Sequence, residues 1–211
     1  MAKVFSDRKE AGRLLSRELF SYSNHPNALV LAVPRGGVVV GYEVSRTLHL
    51  PLDVIVTKKI GAPSNAELAI GAMAEDGKPI FEEELLSKLG IEKEDLPREM
   101  RRVSRTIQEY IRIFREGRSL VLKEKVVIVV DDGVATGATL EAALSWLRTQ
   151  RPKEIILAVP TGARDSMTRL ERLADRTICL DKPEWFSAVG QFYREFGQVT
   201  DEEVKRILSA S

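Results

Sequence analysis

The segment VVIVVDDGVATGAT, Val126 to Thr139, carries five β-branched residues into two adjacent carboxylates and then into a loop of small residues. Such a run reads as a buried strand of a parallel sheet. Ligands of open parallel sheets bind beyond the carboxyl ends of the strands, and Asp131 and Asp132 stand at such an end. Carboxylates there can accept hydrogen bonds from a vicinal diol, or act through water on Mg2+. Gly133 to Thr139 add unhindered backbone N–H groups, the hydroxyls of Thr136 and Thr139, and the start of a helix. The dipole and unpaired donors of a helix start favour a phosphate. A sugar diol and a phosphate one ribose apart would engage both halves. The loop is not a Walker A sequence, since no Gly-Lys-Ser/Thr follows, nor is it a GxGxxG fingerprint.

Two further groups carry charge to strand ends. Pro34-Arg35-Gly36-Gly37 follows a short apolar run, and such a turn can aim backbone amides and the Arg35 guanidinium at an oxyanion. Thr57-Lys58-Lys59 closes the next apolar run with two ammonium groups. Each is a weak signal alone, since turns and solvated loops use the same residues.

The elements that must position these groups follow from periodicity. Asp7 and Glu10 resemble a capping box, and Ala11, Leu14, Leu15 and Leu19 repeat behind them at helical spacing. Ala28–Pro34 reads as a strand, Val38–Leu48 as a helix and Leu52–Thr57 as a second strand, a βαβ unit that implies a parallel sheet with a right-handed crossover. In ELAIGAMAEDGKPIF two apolar runs flank Asp76-Gly77, a hairpin signal. Leu96, Met100, Val103, Ile107, Tyr110 and Phe114 form a narrow helical stripe closed by Gly117, suited to core packing or a dimer seam. After the acidic strand come a helix from about Gly137 to Arg148, a strand EIILAVP, a helix from Arg164 to Leu173, a short strand RTICL, and a terminal helix capped by Thr200 and Glu203. The expected fold class is α/β: one doubly wound, mostly parallel sheet over residues 1–211, with a hairpin and helical insertion at about 62–118 and a small C-terminal hood at about 181–200.

Composition bounds the partners. The 211 residues, 44% hydrophobic, can bury a full α/β core. A net charge of +1 from 32 basic and 31 acidic residues argues against a globally basic nucleic-acid binder. The single Cys179 lies in an apolar stretch and is read as a buried thiol, not a nucleophile. His25 and His49 receive no role, and no His/Cys cluster points to zinc or iron. No signal-peptide h-region and no stretch near the ~18 apolar residues of a span is present, so the expectation is a cytoplasmic protein without membrane contact.

The hydrophobic run, acidic pair and GVATGAT loop resemble the phosphoribosyl-pyrophosphate (PRPP) motif of type I phosphoribosyltransferases, and the order of helix, PRGG turn, crossover, insertion and motif strand matches over most of residues 28 to 160. The resemblance implies a Mg2+-dependent glycosyltransferase of nucleotide metabolism that joins a phosphoribosyl group to a nucleobase or base-like acceptor and releases pyrophosphate. Asp131 and Asp132 would hold the ribose hydroxyls, and Ala135, Thr136, Gly137, Ala138 and Thr139 would line the 5′-phosphate. Arg35, Gly36 and Gly37 would grip pyrophosphate, with Lys58 and Lys59 neutralising it as it departs. Mg2+ would be held indirectly, through PRPP and water, with Asp131 and Asp132 as its protein partners. Val134, Trp185 and Phe186 are the acceptor-binding candidates. Arg112, Arg115 and Arg118 are candidates for closing a lid over phosphates. Purine-using members of the family can carry an aspartate where this chain has Ala135, while adenine-specific members carry alanine. That removes the simplest general base and weakens a hypoxanthine or guanine acceptor.

The rival expectation is a PRPP-sensing regulator that binds nucleic acid or a protein without turnover, using the arginine-rich stretch from Arg98 to Arg118. Interleaved glutamates and the retained PRGG and lysine groups favour turnover. The family's habits make a homodimer an expectation.

Overall fold

The computed structural model describes residues 3–63, 65–92, 94 and 96–210. Its central sheet has five parallel strands in the order β2-β1-β6-β7-β8. They are β1 (Ala28–Ala32), β2 (Leu52–Val54), β6 (Val126–Val130), β7 (Glu154–Thr161) and β8 (Arg176–Asp181). The chain leaves β1 towards β2 and returns on the other side of β1 as β6. The crevice between β1 and β6 is therefore the point where strand order reverses, the place where such sheets take their ligands.

All five residues of β6 are buried, because helices cover both faces. Val126, Ile128 and Val130 pack with Leu15 of α1 (Arg8–Glu18) and with Val40 and Val44 of α2 (Gly36–Leu48). Val127 and Val129 face the other way, towards Ala143, Leu144 and Leu147 of α5 (Ala138–Thr149). Each fully buried Val, Leu or Ile contributes about 1.5–3 kcal/mol, so β6 is a firm base for whatever follows it.

The second sheet is antiparallel and three-stranded: β3 (Lys58–Ala62), β4 (Asn65–Met73) and β5 (Pro79–Phe81), in that order. The Asp76-Gly77 turn joins β4 to β5, with Gly77 at φ 72°, as the hairpin signal predicts. The third strand differs from the sequence reading. Lys58 and Lys59 do not end the second strand: β2 stops at Val54, and Lys58 opens β3, opposite Met73. Polar residues at the strand start and a register shift at Gly61 hide it from the alternation rule.

Helices α3 (Glu83–Leu89) and α4 (Pro97–Arg115) follow. The α4 stripe packs inward: Val103, Ile107 and Phe114 are buried with Ile60, Ile70 and Met73 of the second sheet. Of the two uses its spacing allows, core packing is the one observed. Helix α6 (Arg164–Leu170) ends earlier than its apolar pattern suggests, and α7 (Asp201–Ser209) carries the full Thr200–Glu203 capping box. Val204, Ile207 and Leu208 tie α7 to the same second core. The Cys179 thiol is half-buried and donates to the Asp181 carbonyl at 3.1 Å, and burial pushes its pKa up to about 11. No helix among the described residues is long and apolar enough to cross a membrane.

Candidate active site

Strands β1 and β6 pair in register, Ala32 opposite Val130, and the Val33 amide continues the ladder to the Val130 carbonyl at 2.8 Å. Two residues later β1 has become the Pro34-Arg35-Gly36-Gly37 turn, and β6 has become Asp131-Asp132. Parallel pairing alone thus sets the two motifs side by side. The Pro34–Arg35 peptide is cis. Gly36 and Gly37 are not a turn ahead of the helix, as the sequence reading has it, but the first two residues of α2. A Cβ on Gly36 would lie 1.9 Å from Asp132 Oδ2, and one on Gly37 2.9 Å from the Asp131 Cα and Oδ1. The double glycine is what lets the first turn of α2 close on the acid pair.

Asp131 Oδ1 accepts the Asp132 amide at 2.8 Å. Asp132 Oδ2 accepts Arg8 Nε at 2.7 Å, and Arg8 also donates to the Gly197 carbonyl and stacks over the Phe196 ring at 3.8 Å. Burial, and then the neighbouring Asp132 charge, push the Asp131 carboxyl well above the ordinary carboxylate range. Burial also raises Asp132, against the pull of Arg8. A half-buried carboxylate pair with one guanidinium bonded to Asp132 favours a guest that brings hydroxyl donors or positive charge.

The loop after the acids is held from below. Ser166 Oγ donates to the Ala135 carbonyl at 2.6 Å and Arg169 Nη2 to the Thr136 carbonyl at 2.7 Å, both from α6. The loop carbonyls are thus occupied, while the amides of the first α5 turn have no intrahelical acceptor by construction. Gly137, at φ 80°, makes the turn into α5. Thr136 is exposed and Thr139 half-buried, with Gly137 and Ala138 buried between them. This is the arrangement of an anion cradle.

Both chain ends form a roof over the acids. Phe5 and Tyr193 form a parallel bridge, with the Phe5 amide donating to the Phe192 carbonyl and the Arg194 amide to the Phe5 carbonyl. The Tyr193 hydroxyl donates to the Asp132 carbonyl at 2.6 Å, and burial raises its phenol strongly. Val189 closes on Gly133, where a Cβ would meet it at 2.6 Å.

Several sequence candidates fall elsewhere. Val134 is 2% exposed, packed with Ala138, Met167 and Leu170, so its side chain has no free face for an acceptor. Trp185 is 82% exposed, and the Phe186 ring packs on Phe192 at 4.8 Å. Arg115 is not a lid residue: it is 2% exposed and donates to Glu75 Oε2 at 2.5 Å. Arg112 and Arg118 remain exposed. The lysine pair is split by strand alternation. Lys59 is exposed, while Lys58 is half-buried with Nζ 3.7 Å from the Tyr110 ring centre. Burial and then the Arg35 charge lower the Lys58 ammonium. Arg8, Tyr193 and Asp201 are contributors the sequence reading misses. They act across the fold, where no local spacing signals them.

Among the described residues no three metal-ligating side chains converge. Two carboxylates suit a divalent ion that arrives with phosphate oxygens and keeps its waters, and not a resident metal cage.

A family model described as phosphoribosyl transferase domain matches residues 7–196. Two curated Mycobacterium tuberculosis proteins, one from each of two strains and both carrying the provisional name phosphoribosyl transferase, are 39% identical over 207 residues. Those residues are 98% of this chain and 46% of theirs, so the chain spans about half the length of these relatives. A solved protein from Thermus thermophilus is 38% identical, with TM-score 0.76 and 97% of each chain covered. A solved Aquifex aeolicus protein is 14% identical with TM-score 0.52, covering 87% of this chain and 78% of its own, a likeness of fold alone.

Proposed function

The chain belongs to the phosphoribosyl transferase domain family, and we propose that it transfers the 5-phosphoribosyl group of PRPP to a nucleobase or base-like acceptor and releases pyrophosphate. The observation that carries this reading is the closure of Gly36 and Gly37 onto Asp131 and Asp132, beside the first turn of α5. One crevice then offers a carboxylate pair for a ribose diol, amides for a 5′-phosphate and the Arg35 guanidinium for a second anion.

In the proposed reaction the C1–oxygen bond to pyrophosphate breaks, its electron pair stays on the pyrophosphate, and the acceptor nitrogen bonds to C1. Positive charge builds on the sugar ring before the new bond forms. Asp131 and Asp132 would hold the 2′ and 3′ hydroxyls and present negative charge towards the cation. Residues Ala135 to Thr139 would fix the 5′-phosphate, which sets the sugar's position. Arg35 and Lys58 would take up charge on the leaving group. The roof at Val189 and Tyr193 would keep water from the cation. Asp131, the carboxylate not held by Arg8, would be the protein's contact to a Mg2+ ion, whose chemistry when bound would be stabilisation of the leaving group. Val134, Trp185 and Phe186 offer no enclosed slot, so the acceptor would dock at an open face of the crevice.

Calorimetric titration of PRPP with and without Mg2+, followed by pyrophosphate release against a panel of free bases, tests the reading. The double substitution Asp131→Asn with Asp132→Asn should abolish PRPP binding and keep the fold. Unchanged affinity in that variant would overturn the site assignment.

One observation favours a second reading. Arg98, Arg101, Arg102 and Arg105 are exposed along one stretch of α4, with Arg102 paired to Glu99 at 3.0 Å. A PRPP sensor could present this face to nucleic acid, and its binding would then weaken steeply with salt.

A further inference from the structure

Helix α7 begins after the family-matched segment ends at residue 196. Its first residue, Asp201, reaches back to the PRGG turn: Oδ1 lies 3.6 Å from Arg35 Nη1. That oxygen is buried and has no hydrogen-bond partner. The pair is therefore held by charge across a gap rather than by a bond. Both side chains are partly open to solvent, at 40% and 31%, and such a pair is worth only about 0–1 kcal/mol.

The surroundings are built for more negative charge than Asp201 brings. Lys58 projects its ammonium over the Tyr110 ring in the same neighbourhood, where both Arg35 and Asp201 influence it. Burial, then the Asp201 charge, and further a hydrogen-bonding contact with the Asp201 carboxylate raise the Tyr110 phenol, so the hydroxyl lies beside the same carboxylate. Among the described residues Lys58 has no carboxylate within 4.0 Å. Two cations thus share one carboxylate, held at Oδ1 by no hydrogen bond and steadied by the nearby Tyr110 hydroxyl. Removing Asp201 from Arg35 would not unseat α7, because the Thr200–Glu203 box caps it and Val204, Ile207 and Leu208 anchor it in the core. The carboxylate can swing away while the helix stays.

We infer that the Asp201 carboxylate is an internal stand-in for pyrophosphate, resting against Arg35 until the ligand's own charge displaces it. This rests on the reading of the Arg35 turn as the pyrophosphate grip. It adds a residue outside the family segment that sets how tightly this grip holds. When pyrophosphate forms as product, Asp201 competes for Arg35 and so hastens release, at the expense of affinity.

The test is calorimetric titration of inorganic pyrophosphate into the full chain, for the unaltered protein, Asp201→Asn and Glu202→Gln. Glu202 stands next to Asp201 on the same turn, so its substitution removes the same unit of charge without touching Arg35. Removing this competitor should tighten pyrophosphate binding about two- to fivefold in Asp201→Asn, with Glu202→Gln unchanged. Equal or weaker binding in Asp201→Asn would overturn the inference, and so would an equal gain in Glu202→Gln, which would mean long-range charge alone. If none of the three binds pyrophosphate, the reading of the Arg35 turn falls, and the inference with it.

Discussion

Arg8 Nε and Asp132 Oδ2 lie 2.7 Å apart, with only 10% and 14% of their side chains exposed. The pair joins the first turn of the first helix to the end of the central strand. Among the described residues it supplies the one ion-pair partner of the half-buried acid pair, and the Gly197 carbonyl and Phe196 ring hold that cation in place. Asp132 is in this way fixed and partly neutralised, while Asp131 keeps its raised proton affinity.

Removing Arg8 leaves a buried carboxylate without its partner. Arg8→Ala should lose about 3–5 kcal/mol of stability at pH 8, read from urea unfolding. The deficit should shrink towards pH 5, as Asp132 takes up a proton and ceases to need a cation. A deficit independent of pH would mean that Arg8 acts through packing on Phe196 instead.

Asp131 gives the opposite sign. Its folded-state pKa lies above the unfolded value of about 3.9. The stability it contributes is therefore complete below that value and is lost as pH rises through the raised one. Asp131→Asn should raise stability at pH 8 by about 1–2 kcal/mol and flatten the pH profile, while PRPP binding disappears. Denaturant midpoints at pH 5 and pH 8 check this. A destabilised variant at pH 8 would show that the carboxylate is held by favourable partners.

Gly36→Ala should be worse for the site than its size implies. The new methyl carbon would sit 1.9 Å from Asp132 Oδ2 and 2.9 Å from Arg8 Nε, so the Arg8–Asp132 pair must move aside or α2 withdraw from it. The expected cost is about 1–3 kcal/mol, with PRPP affinity lost in calorimetry. Gly77→Ala is the comparison: Gly77 has open space around it and φ 72°, so about 1 kcal/mol should go while ligand binding stays. Equal effects on binding would argue against the close approach at Gly36.

Glu75 and Arg115 form the other buried pair, at 8% and 2% exposure. Glu75 Oε1 also accepts the Val56 amide at 3.0 Å, so one carboxylate just after β4 ties α4 to the segment between β2 and β3. Glu75→Gln should cost about 3–5 kcal/mol, because a buried guanidinium loses its counter-charge. Amide exchange should rise in β3, β4 and β5 and remain slow in β6. Uniform loss across both sheets would instead show that they unfold as one unit.

The acid pair, its loop and the PRGG turn are legible in the sequence because each is a local run at the end of an apolar strand. Their adjacency is not written in either run. It depends on β6 lying beside β1, an order that only the crossover settles. The hairpin and the α7 cap are equally local, and the structure holds both. Arg115 misleads because a charge in the last turn of a helix resembles a solvated end until its partner 40 residues away is known. Trp185 misleads for a related reason: an aromatic in a polar loop has no spacing to say whether it turns inward, and here it lies open. Arg8 meets its partner across 124 residues, and Asp201 meets Arg35 across a comparable stretch of chain, so neither pairing has a sequence signature.

The five covered residues of β6 place the acid pair on the part of the molecule that lets go last. Amides in a strand shielded on both faces exchange only when the whole domain opens, whereas segments near chain ends open by local, cheaper excursions. The acid pair is thus seated on a foundation shielded from both sides, while Phe5, Val189 and Tyr193 pack over it from outside the central sheet.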